Sequence, residues 1–297
     1  MPAEETESSL RLYLLILVMV ILWSANYIIG KFALRELPPL LVVGLRMIVS
    51  GLTMIPIYAG WRRKTGTAGF ERRDIPMLLA LGLLGVGLNQ LLFISGLART
   101  SVAHAALMIG LTPILVLLLA AAAGQEKLSA ARLIGMGIAL AGVAVLQFSP
   151  AGKQAGNLIG DLLVFGGALT FAVFTVQGKS AVGRVAGVAV NTFAYVGTGV
   201  ALLPMTFYLG SGFEFQSISP LAWTSVLYMS LFPSVVAYLI YYYALARIPA
   251  SRLSAFSYLQ PLLATAMAIP ALGEYPTRSL LAGGILVLAG VFVAERV

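Results

Sequence analysis

"LARTSVAHAALMIGLTP" occupies Leu97–Pro113, and "LARIPASRLSAFSYLQP" occupies Leu245–Pro261, 148 residues further on. Five of the seventeen positions are identical, and each stretch ends in a proline inside an apolar run. The register persists on both sides. Gly30-Lys31 matches Gly178-Lys179, Pro56 matches Pro204, and Glu126 matches Glu274. Gly135 and Ala141-Gly142-Val143 match Gly283 and Ala289-Gly290-Val291. Each match alone is a small coincidence among apolar residues. One register held along half the chain without a net insertion marks a duplication, with units at 1–150 and 151–297.

The composition says where the two units lie. The chain of 297 residues is 60% hydrophobic and only 10% charged, against roughly 25% charged in soluble domains. A membrane-spanning helix needs about 20 mostly apolar residues. Ten such stretches are present, at 10–30, 38–60, 75–97, 101–123, 129–148, 157–178, 186–209, 220–246, 249–272 and 278–295. Five spans per unit is an odd number, so the second unit enters the bilayer from the opposite side. The expected fold is an all-α integral membrane protein of ten transmembrane helices, built as two inverted five-helix repeats. Such repeats are common in secondary transporters, where the binding site lies at the repeat interface near the bilayer midplane.

A net charge of +8 raises nucleic acid as a partner. In a membrane chain the better account is the bias of Lys and Arg toward cytoplasmic loops. With the N-terminus inside, thirteen cations fall on the inner side (Arg11, Arg62, Arg63, Lys64, Arg72, Arg73, Lys127, Arg132, Lys179, Arg184, Arg247, Arg252 and Arg296). Five fall outside: Lys31, Arg35, Arg99, Lys153 and Arg278. Arg46 lies within a span. Both termini are therefore expected in the cytoplasm of a bacterial inner membrane, and no nucleic-acid partner is expected. With no Cys, disulfides and thiolate metal sites are excluded. The acidic start "MPAEETESSL" and the long apolar run after it read as a retained first span, not a signal peptide.

"ILWSANYIIGKFAL" in span 1, Arg46 in span 2, "GLARTSVAHAALMIGLTPILVLLLA" in span 4 and "GQEKLSAARLIGMGIALAGVAVL" in span 5 resemble the ten-helix drug/metabolite transporter superfamily, EamA type. The second half answers with "ALARIPASRLSAFSYLQPLLATAMAIPALGEYPTRSLLAGGILVLAGVFV". Within the superfamily the chain looks closest to bacterial exporters of aromatic amino acids and metabolites. The resemblance implies a basket of ten helices around a cavity lined by spans 1, 3, 4, 6, 8 and 9, with span 2 outside the wall. The second half departs from the pattern, with Phe171 at the position of Trp23 and Ala194 at that of Arg46.

Candidate site residues follow from the polar and aromatic positions. Trp23, Asn26, Tyr27 and Gly30 share one face of span 1, spaced i, i+3, i+4 and i+7. Their counterparts in span 6 are Phe171, Phe174, Thr175 and Gly178. Asn89, Gln90 and Phe93 cluster in span 3, and Tyr238, Tyr241 and Tyr242 in span 8. Span 4 offers His104, Met108 and Thr112; span 9 offers Arg252, Phe256 and Gln260. Polar groups deep in a bilayer face protein or a water-filled cavity, so these stripes are expected to face inward and bind substrate. Helix–helix hydrogen bonding and interfacial aromatic belts use the same residue types.

Pro113 and Pro261 sit mid-span, where each deprives the carbonyl four residues back, Ile109 or Ser257, of its donor. They mark gating hinges or static kinks. Arg46 reads as a structural residue bonded to loose carbonyls or snorkelling to the interface; the other reading is a counter-ion for a substrate carboxylate. His104 is the only His and has no acidic residue near it in sequence. It is a substrate-site or proton-coupling candidate, or an interfacial hydrogen-bonding residue.

Of eleven acidic residues none is central to a span. Asp161 in the first turn of span 6 comes nearest and suits the helix dipole. Glu126 and Glu274 precede spans 5 and 10, with Ser129 and Thr277 as N-caps. Gly135 with Gly142, and Gly283 with Gly290, allow close helix approach, inside the protein or in a dimer.

With no buried carboxylate and no buried cluster of cations, a neutral or zwitterionic substrate fits best, carried without an obligatory proton. The expected function is export of small amphipathic metabolites, aromatic or bulky neutral amino acids foremost, by alternating access. A broad drug or metabolite exporter is the alternative. No catalytic constellation, cofactor or metal is expected. The expected partners are the substrate and the bilayer, with a monomer or homodimer as the working form.

Overall fold

In lipid, a chain this apolar satisfies its backbone groups only as helices or a closed barrel. The computed structural model takes the first course. It describes residues 2–125, 129–147, 157–182, 184–273 and 277–295, and among them there is no strand. Glu126 and Glu274 lie outside the described residues.

Span 1 is α1 (Pro2–Ala33) and span 2 is α2 (Pro39–Thr65). Span 3 is α3 (Ile75–Gly82), a π-helical turn over Leu83–Leu88, and α4 (Asn89–Leu97). Span 4 is α5 (Val102–Ile109) and α6 (Thr112–Ala122), and span 5 is α7 (Ala130–Gln147). The second unit follows with α8 (Leu158–Val182), α9 (Gly187–Ser211), and α10 (Pro220–Leu231) joined through a π turn, Phe232–Val236, to α11 (Ala237–Leu245). Span 9 is α12 (Ala250–Ala255), a 3₁₀ turn and α13 (Leu259–Leu272); span 10 is α14 (Arg278–Glu295). Among the described residues, eight spans are long and apolar enough to cross a membrane, and α7 and α14 contribute shorter apolar stretches, Ala130–Gly142 and Leu281–Gly290. Ten transmembrane helices in two inverted sets of five account for this order. Ser129 caps α7, its Oγ accepting from Arg132 N at 3.3 Å.

Spans 3 and 8 each read in sequence as one apolar stretch, 75–97 and 220–246. Both contain a π turn, at positions related by the repeat offset. In span 8, Pro233 has no N–H for a regular helical bond. In span 3, glycines bring the turn close to its neighbours: a Cβ on Gly85 would lie 2.2 Å from the Phe174 ring, and one on Gly82 would lie 2.5 Å from Ala194 Cα. The wide turn lies where glycines let the neighbouring helices approach closely.

The repeat symmetry is visible in reciprocal contacts. In the α2–α9 crossing, a Cβ on Gly51 would lie 3.1 Å from Tyr195 O, and one on Gly199 would lie 3.1 Å from Met47 O. In the α7–α14 pair, a Cβ on Gly142 would lie 2.7 Å from Gly283 O, and one on Gly290 would clash with Gly135 O. The small residues of spans 5 and 10 therefore serve internal packing. Lys31 Nζ donates to Thr100 O at 2.5 Å, and its counterpart Lys179 donates to Ile248 O at 2.8 Å. Arg99 and Arg247 each cap the carbonyl four residues back, Ser95 and Tyr243.

The face carrying loop 34–38, the start of α5 and the start of α8 is called the upper face. The face carrying loop 66–71 and the start of α12 is the lower face.

Candidate functional site

Side chains from both units meet half-way along the spans around a cavity of about 70 Å³. Ten of the expected residues line it: Trp23, Asn26 and Tyr27 on α1, Asn89, Gln90 and Phe93 on α4, Thr112 on α6, Phe171 on α8, Tyr238 on α11 and Gln260 on α13. The three α1 residues arrive together because i, i+3 and i+4 share a helical face.

Several are fixed by long-range contacts. Trp23 Nε1–H donates to Pro233 O at 3.1 Å, in the π turn of span 8. Tyr27 OH donates to Gln260 Oε1 at 3.1 Å, and its ring meets Phe93 edge-on with centroids 5.3 Å apart. The Trp23 ring contacts Phe171 at 5.9 Å and Tyr238 at 5.6 Å. These rings touch one another and narrow the space between the units.

Four residues complete the wall, Thr112 among them. Ile109 and Thr112 flank the break between α5 and α6, and Ser257 lies in the 3₁₀ turn before α13. Pro113 and Pro261 have no N–H to return to Ile109 and Ser257, so both carbonyls that the prolines deprive belong to cavity residues. The fourth is Arg46. It does not snorkel: it is 1% exposed. Its Nε donates to Ser234 Oγ at 2.8 Å and its Nη1 to Gln90 Oε1 at 2.7 Å. Gln90 passes the chain on to Asn89 Oδ1 at 2.7 Å, and Asn89 Nδ2 to Gly167 O at 2.8 Å. Span 2 therefore reaches the cavity wall, against the reading that left it outside. Its lone in-span cation was the available signal.

Eight expected residues stand off the wall. His104 is at the upper end of α5, where its Nδ1 lies 3.0 Å from Asp161 Oδ2. The acid missing from its sequence neighbourhood comes from α8, and Asp161 Oδ1 also accepts from Thr100 Oγ1 at 2.5 Å. Met108 packs into the core. The helical face read through span 4 does not carry across the break at Gly110–Leu111. Phe174 lies against Gly85 of the π turn. Thr175 Oγ1 and Tyr241 OH are 2.6 Å apart behind the wall, and Tyr241 meets Trp23 and Phe171 rings at 5.7 and 5.4 Å. Tyr242 packs on Phe174 at 5.9 Å. Phe256 meets Tyr13 toward the lower face at 5.9 Å, and Arg252 is exposed.

A larger groove, about 1070 Å³, runs outside this site between α2, α3 and α9. Its walls include Ile55, Leu83 and Val200, which are exposed and apolar, as a surface facing hydrocarbon requires.

Residues 10–148 match the EamA-like transporter family, and residues 158–295 match it again. The chain belongs to that family. The duplicated match follows the two sets of five spans, and the EamA-like transporter is thus a membrane transport protein. It is 32% identical over 234 residues to a probable terminal-alkyne amino-acid exporter of Streptantibioticus cattleyicolor, covering 78% of this chain and 77% of that one. It is 26% identical to a probable amino-acid metabolite efflux pump of Salmonella typhimurium, covering 94% and 93% of the two chains. A solved crystal structure 24% identical in sequence superposes with a TM-score of 0.69 over 96% of each chain, which shows the shared fold.

Proposed function

We propose that this EamA-like transporter exports aromatic or bulky neutral amino acids by alternating access between its two five-helix units, 1–150 and 151–297. The observation that carries the reading is the cavity itself: apolar rings from both units stand beside uncharged polar groups at their interface. Trp23, Tyr27, Phe93, Phe171 and Tyr238 supply the apolar surface. Asn26, Asn89, Gln90 and Gln260 supply polar contacts. The names of the Streptantibioticus and Salmonella relatives support an amino-acid substrate.

A cavity of about 70 Å³ is about half the roughly 150 Å³ that accepts benzene in an engineered core. Substrate entry then requires the rings to part. His104, Met108, Phe174, Thr175, Tyr241, Tyr242 and Phe256 act from behind or beyond the wall as the units move, with the breaks at Pro113 and Pro261 as hinges. In this reading both termini lie in the cytoplasm of a bacterial inner membrane, the upper face looks outward, and the working form is a monomer or homodimer.

The test is counterflow into proteoliposomes with labelled Trp, Phe and Met beside cationic drugs. Accumulation of the amino acids is expected. Drug transport with no amino-acid counterflow would replace this reading with that of a broad drug or metabolite exporter.

A further inference from the structure

Arg46 is a buried cation inside the cavity wall, and all of its bonded neighbours are neutral. Two of its five N–H groups are held by Ser234 Oγ and Gln90 Oε1. No carboxylate among the described residues pairs with it. Burying a charge without a counter-charge costs several kcal/mol, and deep in a bilayer the cost does not vanish. The surrounding bonds fix the guanidinium plane without neutralising it. Ser234 is itself held by the π turn, its Oγ donating to Met229 O at 2.8 Å. Gln90 is held by Asn89.

Two polar atoms of the same cavity also lack a partner. Asn26 Oδ1 and Thr112 Oγ1 are buried with no hydrogen bond, on residues 5% and 1% exposed. Buried polar groups are otherwise nearly always bonded. The cavity thus holds an unneutralised cation, two oxygens able to accept, and rings between the units. An α-amino acid completes all three.

We propose that Arg46 is the carboxylate anchor of the site, with Asn26 and Thr112 receiving the ammonium group, so that the transported class must carry a carboxylate. The assignment of the ammonium rests on the amino-acid reading above; the anchor itself requires only an anionic substrate. A guanidinium matches a carboxylate through parallel N–H···O bonds. The same charge repels amines and cationic drugs.

The experiment is inhibition of counterflow by matched pairs, using the full-length protein in proteoliposomes. The pairs are phenylalanine with phenethylamine, and leucine with isopentylamine; phenylpropionate keeps the carboxylate without the ammonium, and ethidium stands for cationic drugs. The wild-type protein is expected to favour each carboxylate over its amine by about tenfold to a hundredfold, the range of a hydrogen bond to a charged group. Phenylpropionate is expected to remain a competitor. Arg46→Gln should erase the preference within each pair, and Arg46→Lys should restore part of it. A purely structural Arg46 would lower all ligands together and leave the ratios unchanged.

The wild-type ratios need no variant to fold. Amines competing as well as amino acids would overturn the anchor. Discrimination in the leucine pair alone would sustain the anchor and sink the aromatic preference. Transport of ethidium with no carboxylate transported would overturn both.

Discussion

The starts of span 4 and span 9 are related by the repeat, yet they close their ends of the bundle differently. Both follow the same backbone anchor, Lys31 on Thr100 O above and Lys179 on Ile248 O below. Above, Thr100 and His104 converge on Asp161, which is 1% exposed. Below, the corresponding positions are Ile248, Arg252 and Tyr13. Arg252 is exposed, and Tyr13 is 41% exposed with its ring on Phe256. The backbone scaffold is symmetric, while the side chains joining the two units are polar and buried at one face and aromatic and open at the other. In the alternating-access reading proposed above, a symmetric scaffold would let either face open, and the unequal side chains would set which face is held shut.

The sharpest test of the comparison is which face is which. The protein has no Cys, so single cysteines report cleanly. Thr65 on the lower face and Ser211 on the upper face are both exposed. The expected labelling with a membrane-impermeant thiol reagent in intact cells is all-or-none: Ser211→Cys reacts and Thr65→Cys is shielded. The reverse pattern would exchange the outer and inner faces and with them the roles of the two closures.

Next in size is the cost of breaking each closure. Asp161→Ala removes the acceptor shared by Thr100 and His104. Leaving buried polar groups without their partner costs about 1–3 kcal/mol each. Tyr13→Ala removes an aromatic contact worth about 1 kcal/mol at a half-open position. Thermal unfolding in detergent should therefore separate the two variants clearly, with Asp161→Asn between them because an amide oxygen still accepts one bond. Equal shifts for Asp161→Ala and Tyr13→Ala would mean that the two faces are closed with equal strength.

What was legible in the sequence follows the same division. The repeat was readable because its marks are backbone devices with fixed spacing: lysines at helix ends, prolines at breaks, glycines at crossings. Trp23, Asn26 and Tyr27 were readable because one helical face carries all three. The His104–Asp161 pair spans 57 residues and has no local signal. The π turn at Leu83–Leu88 depends on how closely Phe174 and Ala194 approach. Arg46 was visible as an in-span cation, but its place on the wall depends on Ser234 in the other unit. Met108 packs in the core while Thr112 lines the cavity, because the helical period does not carry through the broken span.

The smallest expected effect concerns the loops that tie each unit to the other. Glu36 in loop 34–38 accepts from Ser219 N at 2.7 Å and Ser219 Oγ at 2.6 Å; Ser219 caps α10, its Oγ accepting from Ala222 N at 3.2 Å. The repeat counterpart of Glu36 is Arg184, of opposite charge, which reaches Asp74 Oδ1 at 3.5 Å on the lower face. The two bonds from Ser219 hold the Glu36 carboxyl below its usual value. A depressed carboxyl favours the folded state above the ordinary carboxylate range, and that contribution is lost as pH falls through the depressed value. Glu36 is exposed, so solvent and salt screen the effect. Below about pH 4 the upper loop should loosen slightly, read as faster hydrogen exchange over residues 34–38 and 217–222 relative to Glu36→Gln at the same pH values. The wild-type protein should be better protected than the variant at neutral pH, with the difference closing on acidification. A difference independent of pH would assign the tie to packing in place of the carboxylate.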